Sequence, residues 1–387
     1  MSSRRKTFAS SARGEASDDA APTPVPLWSQ EPIWARDLVE EPVVSINGDA
    51  AVERACETLL SNEASCLVVY SIDGSDSSKS YDGLFDYADV NAYLNLAINA
   101  NSLSPEDLER QQVEMIINNA KDGGDVPVRL ACDLSEKNPM VVQTQNSTHL
   151  SLLREFSQGK HRVAIKNNAG EIEGIVSDRR LVQWLMTHAP SHPVLSATLQ
   201  LPISELNIGS RMVISAPADS TIRDAMAMMS AEGVSSIAVV DHNGNLLSAV
   251  SVTDIGKLIV PSQSKSVLNT TLLQFISKIK EPEGLTDGAE RYPAFSVVPS
   301  STLGYTMQKI LAINAHRVFI TDDPNLPASP GGAPGNLRGV VSLVDILSVF
   351  ARLAGIPNVD PGQMRLRRAS SSSSSRSSRH KPSGSVG

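Results

Sequence analysis

The sequence predicts an α/β chain built from four small helix–strand–strand–helix repeats arranged as two pairs. Three observations carry this. Four segments share one grammar, an apolar strand, a small-residue turn and a helix start: Gly83–Val90 (GLFDYADV), Gly174–Leu181 (GIVSDRRL), Ser248–Ile255 (SAVSVTDI) and Gly339–Ile346 (GVVSLVDI). Their seventh residues, Asp89, Arg180, Asp254 and Asp345, are separated by 91, 74 and 91 residues, so first to third and second to fourth are both 165. A period that recurs in this way is the mark of a two-repeat unit copied in tandem. Finally, 41% of the 387 residues are hydrophobic but only 4% are aromatic, so the chain can bury cores and those cores are aliphatic.

Each repeat opens with a helix, expected over Ala51–Ser61, Leu150–Gln158, Ile222–Ala231 and Leu303–Asn314. In the third, Ile222, Ala225, Met226 and Met229 recur at helical spacing, which gives one face to bury. β-branched runs follow: SCLVVYS from Ser65, HRVAIKN from His161, SSIAVVD from Ser235 and HRVFITD from His316. The stretches Asn167–Gly170 and Asp241–Asn245 supply residues that tolerate positive φ, as hairpin turns require. The repeats span 31–98, 130–190, 197–262 and 291–353, with linkers at 99–129 and 263–290. A connecting helix is expected over Ser104–Ala120, with Ser104 as cap and Pro105 at its first position. The Pro/Gly-rich stretch Pro324–Gly335 reads as a surface loop. The tails, 1–30 and 354–387, read as disordered.

The net charge of −8 averages unlike parts. Six basic and no acidic residues lie between Arg365 and Gly387, together with ten serines, and the body left after both tails are removed carries −15. An acidic body argues against nucleic acid as a partner. No apolar run reaches the length of a membrane span, and the basic, Ser-rich start reads as a tail rather than a leader. Cys56, Cys66 and Cys132 form no C-x-x-C pair; Cys66 in its apolar run reads as a small buried hydrophobe. There is no phosphate-binding loop, nucleophile elbow or kinase motif set, so no catalytic residue is expected. His188 and His192 share the i,i+4 spacing of a helical metal pair, but Pro190 and Pro193 interrupt the helix, so a loop and no metal are expected.

The recurring G-h-h-[ST]-x-x-D-h turn resembles the signature of cystathionine-β-synthase (CBS) domains. The resemblance implies four CBS domains in two tandem pairs, with AMP, ADP or ATP as a regulatory ligand and no cofactor required. On that resemblance the hydroxyls of Ser177, Ser251 and Ser342 and the acids Asp89, Asp254 and Asp345 face a nucleoside. The pairs His161-Arg162 and His316-Arg317, at two strand starts, meet phosphate. The repeats are unequal: Asp86 replaces the first hydroxyl, and Arg180 replaces the second acid and cannot accept ribose hydroxyls. The same Ser and Asp spacing also makes an ordinary helix N-cap that binds nothing.

Asp89, Arg180, Asp254 and Asp345 with two His-Arg pairs resemble gamma subunits of AMP-activated protein kinase. The blocks GLFDYADVNAYLNLAI, EGVSSIAVVDHNGNLLSAVSVTDI and GVVSLVDILSVFARLAG, before an Arg/Ser-rich tail, resemble a fungal Sds-type four-CBS family. That resemblance implies a non-catalytic, cytoplasmic and nuclear regulator of cell separation and of stress and nutrient signalling. It would act by binding and inhibiting a type 2A phosphatase; a kinase complex and an empty-cleft scaffold are the alternatives. Thr7 and Ser370 follow basic residues and suit a basophilic kinase.

Overall fold

The computed structural model describes residues 33–39, 43–72, 79–99, 111–121, 124–209, 212–258, 267–280, 295–322 and 336–359. The N-terminal tail with Thr7, residues 360–387 with Ser370, the cap at Ser104 and the stretch Pro324–Gly335 lie outside the described residues. By contrast 354–359, read from the sequence as the start of the disordered tail, is described, with Ala354 buried and Ile356 N donating to Ala351 O.

Repeat 1 runs β1 (Ser45–Asn47), α1 (Val52–Ser61), β2 (Cys66–Ile72), β3 (Lys79–Asp86) and α2 (Tyr87–Asn99). A connecting helix, α3 (Gln111–Lys121), leads to repeat 2. That repeat holds β4 (Val142–Thr144), α4 (His149–Ser157), β5 (Arg162–Lys166), β6 (Ile172–Ser177) and α5 (Asp178–His188). After α6 (Pro193–Leu199) comes repeat 3: β7 (Ser215–Pro217), α7 (Ile222–Ala231), β8 (Ser236–Val240), β9 (Leu246–Ser251) and α8 (Val252–Leu258). A further helix, α9 (Leu272–Lys280), precedes repeat 4: β10 (Ser296–Val297), α10 (Leu303–Ala312), β11 (Arg317–Thr321), β12 (Leu337–Ser342) and α11 (Leu343–Leu353).

Every repeat thus gains a short strand that the sequence did not announce. Each pairs in parallel with the long strand beyond the helix, completing a three-stranded sheet. Two or three residues are too few for a periodic signal. The long hairpins keep one more common detail, a register shift at Val69/Tyr70, Ile165/Lys166, Val239/Val240 and Ile320/Thr321. The expected turns form as Asx turns. Asn167 Oδ1 accepts from the backbone of Ala169 and Glu171, and Asp241 Oδ1 from Asn243 and Asn245. Gly170 and Gly244 take positive φ of 86° and 82° there.

The loop expected after Pro190 is instead a 3₁₀ turn, Ala189–Ser191, followed by α6. Both prolines sit in the first turn of their element, where a missing N–H costs no intrahelical bond.

The apolar face of α7 is fully buried as its spacing requires. Two main cores form, and each joins repeats that are not neighbours in sequence. One unites repeats 1 and 3, with Tyr87 and Val90 among Met226, Val252 and Ile255. The other unites repeats 2 and 4, with Leu152, Phe156 and Leu185 among Ile346, Val349 and Phe350. Sequence neighbours meet through their sheets instead: Tyr81 Oη accepts from Ile172 N, and Ala238, Phe295 and Phe319 form a smaller cluster. The four repeats therefore close a ring, 1–2–4–3, within one chain.

Each pair is also laced by exchanged segments. Residues 33–39, expected from the sequence as the start of repeat 1, lie before β1 and pack on repeat 2: Trp34 bridges Thr148, and Val39 covers Gly174 so closely that a Cβ there would collide. Residues 126–130, which precede repeat 2, complete repeat 1 through Val52 N to Val126 O and the Ala51–Pro127 bridge. The second pair repeats the exchange, with Pro202 bridging Thr302 and Thr271 bridging Thr221.

Candidate functional site

The four strand-to-helix turns are built alike and filled differently. In repeat 3, Ser251 Oγ donates to Asp254 Oδ2 at 2.8 Å, and Asp254 N returns a bond to Ser251 Oγ at 3.1 Å. Repeat 4 does the same with Ser342 and Asp345 at 2.7 and 3.3 Å. Both pairs are capping boxes, so the cap that the spacing allowed is present at each. In each box the carboxylate's cap bonds fall on Oδ2 alone. The two acids differ in access: Asp345 is buried and Asp254 is half-buried.

Repeat 2 caps α5 with Ser177, which accepts from Arg180 N at 3.1 Å. The Arg180 guanidinium donates to Gln183 on the same helix at 3.3 Å. Repeat 1 has two buried acids at its turn. Asp86 accepts from the backbone of Ala88 and Asp89, and its Oδ2 accepts from Asn138 at 2.6 Å and from Arg162 at 2.8 Å. Asp89 accepts from Asp86 N and Ser135 N, both at 3.0 Å. Burial, and then the Asp86 charge beside it, push the Asp89 carboxyl well above the usual carboxylate range.

Arg162 belongs to repeat 2 but reaches over this turn of repeat 1. It pairs with Asp86, both side chains being about nine-tenths buried or more, and also donates to Ser65 O at 3.1 Å. Arg317 of repeat 4 makes the equivalent reach over repeat 3, donating to Ser235 Oγ at 3.0 Å. Ser235 in turn lies beside the Ser251 turn, its carbonyl accepting from Val252 N. The arginines are thus matched in place: Arg162 meets Asp86, and Arg317 meets Ser235 beside the turn that carries Asp254.

The histidines of the two His-Arg pairs go elsewhere. His161 and His316 meet each other edge to face, with ring centroids 5.6 Å apart, where repeats 2 and 4 join. Between them stands Asp178, fully buried, 2.7 Å from His161 Nδ1 and 3.8 Å from His316 Nδ1. Burial opposes the Asp178 charge, but His161, His316 and Arg162 outweigh it and hold the carboxyl below its usual range. Burial pushes His316 down to about 3, against the pull of Asp178, so its ring is neutral near pH 7. Asp178 was not among the residues expected at a site. Its signal was present, because the other repeats carry Tyr87, Val252 and Leu343 at that position.

Of the residues expected to face a ligand, Asp89 and Arg162 come together with Asp86, and His161 and His316 come together with Asp178. Arg317 meets the turn of Ser251 and Asp254. His188 stacks on Trp184 at 4.5 Å and lies outside the cluster. Cys56, Cys66 and Cys132 are free and buried, and burial raises the Cys66 thiol as its apolar run implied. Among the described residues no helix is long and apolar enough to cross a membrane.

Residues 203–260 match the CBS domain model. A solved structure from Methanocaldococcus jannaschii, proposed as an archaeal homologue of g-AMPK, has a like fold. Its TM-score is 0.59 at 14% identity, covering 82% of this chain and all of that one. The chain is 35% identical over 382 residues to Protein sds23 of Aspergillus niger, covering 86% of this chain and 74% of that protein. It is 34% identical over 370 residues to Protein SDS23 of Yarrowia lipolytica, covering 89% and 71%. Four CBS-type repeats and relatives aligned across most of both chains make this a CBS-domain regulatory protein that belongs to the Sds23 family.

Proposed function

We propose that this is a non-catalytic regulator that binds an adenine nucleotide between repeats 3 and 4 and acts by binding and inhibiting a type 2A phosphatase. Its setting would be the cytoplasm and nucleus, in cell separation, cell-cycle control and stress or nutrient signalling. The observation that carries the nucleotide reading is the reach of Arg317 from repeat 4 to Ser235, beside the turn of repeat 3 that carries Ser251 and the half-buried Asp254. A carboxylate there can accept ribose hydroxyls, and a guanidinium can meet phosphate through paired N–H groups.

Calorimetry with AMP and ATP tests this on wild type, Asp254→Ala and Arg317→Ala. Wild type should bind one nucleotide at this cleft, and either variant should lose it. No heat from wild type with either nucleotide would sink the reading. A second reading, a gamma-type subunit of an AMP-activated protein kinase, is favoured by the fold match to the Methanocaldococcus jannaschii protein. Pulldown of the full chain decides between them by whether phosphatase or kinase subunits co-purify.

A further inference from the structure

Among the described residues, one group of side chains brings together donors suited to a metal ion: His161, Asp178 and His316, with one donor atom from each within 4.8 Å of the others. We propose that these three residues bind a divalent transition ion of the Zn2+ class where repeats 2 and 4 join.

The donor set is the first argument. Two imidazoles and one carboxylate suit borderline ions such as Zn2+ and Co2+, whereas Mg2+ and Ca2+ call for oxygen ligands. Three protein ligands leave a fourth position open to water or another small ligand. Zinc at about 2.0–2.2 Å from each donor holds them roughly 3.3–3.6 Å apart, so donors up to 4.8 Å apart must close by about 1–1.5 Å while the 2.7 Å contact of His161 with Asp178 opens by somewhat under about 1 Å.

The second argument is that the fold does not need an acid here. A fully buried carboxylate is costly to keep charged. At the same turn position the sister repeats place Tyr87, Val252 and Leu343, each of which joins a core. Repeat 2 alone departs from that pattern, and its acid sits against the two histidines. The His316 Nδ1 atom is buried with no hydrogen-bond partner, 3.8 Å from Asp178 Oδ1.

Third, the backbone around the group is held at both ends. The His161 carbonyl accepts from Asp178 N, and the His316 carbonyl accepts from Leu343 N, so each histidine is fixed to a helix start. Arg179 Nη2 donates to Ala315 O at 3.1 Å and ties the residue before His316 to the turn that carries Asp178. Of the two cations of repeat 2 beside the group, Arg162 is balanced by Asp86, and Arg179 turns its guanidinium to the Ala315 carbonyl.

The test uses the full chain, freed of metal by a chelator and free of any histidine tag. It is titrated with Zn2+ in a calorimeter and with Co2+ in an absorption spectrometer. One ion per chain is expected, with Co2+ bands in the visible region and no competition from Mg2+. His316→Ala and Asp178→Asn should each weaken binding by roughly a hundredfold or more, since even outer-shell losses cost about 10–100-fold. His316 is half-buried, and Asn keeps the shape of Asp178, so both variants can be checked for wild-type circular dichroism. Inorganic phosphate is the control, because Arg162 and Arg179 flank the group. Failure of wild type to take up Zn2+ or Co2+, or uptake unchanged in a folded His316→Ala, would overturn the proposal. So would binding of phosphate in place of metal.

Discussion

Asp86 stands where three other turns carry serine, and that one carboxylate decides what Arg162 does. Removing it strands a buried guanidinium, which costs about 3–5 kcal/mol when one partner of a buried pair is lost. Asp86→Ala should therefore lower the urea midpoint markedly, whereas Arg180→Ala, whose partner is on its own helix, should change it little. Asp89 adds a pH signature. Its folded pKa is raised, so its contribution to stability is full below the ordinary value of about 3.9 and is lost as pH rises through the folded value. With the Asp86 charge gone, Asp89 should titrate lower by carbon-detected NMR, and that loss with rising pH should shrink in Asp86→Asn. An unmoved Asp89 titration would show that burial alone sets it. At this scale the sequence exposed Asp86 as a departure from the turn pattern. It hid the role of Asp178, because His161 and His316 are 155 residues apart and nothing in their spacing brings them together.

At the scale of elements, the long hairpins and their preceding helices were legible because each has enough residues to show a period. The short parallel strands were not, and α6 was concealed by prolines that start a helix as readily as they stop one. Capping chemistry was legible but ambiguous: Ser251 with Asp254 and Ser342 with Asp345 do cap their helices, and a cap does not forbid a ligand. Helix contacts supply a sharper test. Gly256 on α8 lies against the Tyr87 ring of α2, where a Cβ would collide. Gly256→Ala should destabilise by about 1–3 kcal/mol through overpacking. Thr221→Ala removes the box that starts α7 and should cost about 1 kcal/mol. Thermal melts of both variants check these values, and a Gly256→Ala protein as stable as wild type would show that the α2–α8 contact can open without cost.

At the scale of the whole molecule, the 165-residue period revealed two copies of a pair but not which faces meet. Periodicity reports that a face is buried, not what buries it. The structure answers that each core belongs half to one pair and half to the other. The described body should therefore unfold as one unit, with urea transitions by tryptophan fluorescence and by circular dichroism coinciding. Trp184 belongs to repeat 2 and Trp34 packs on it, so separate transitions would show that the repeats melt independently.

The exchanged segments at 33–39 and 126–130 bear on inheritance. A gene for repeat 1 alone would encode an edge that fits another repeat and lack the edge it needs. A duplication that carried both members at once keeps each edge beside its partner, which fits a strict period of 165 residues, the length of a pair, and the same 91-residue spacing inside both pairs.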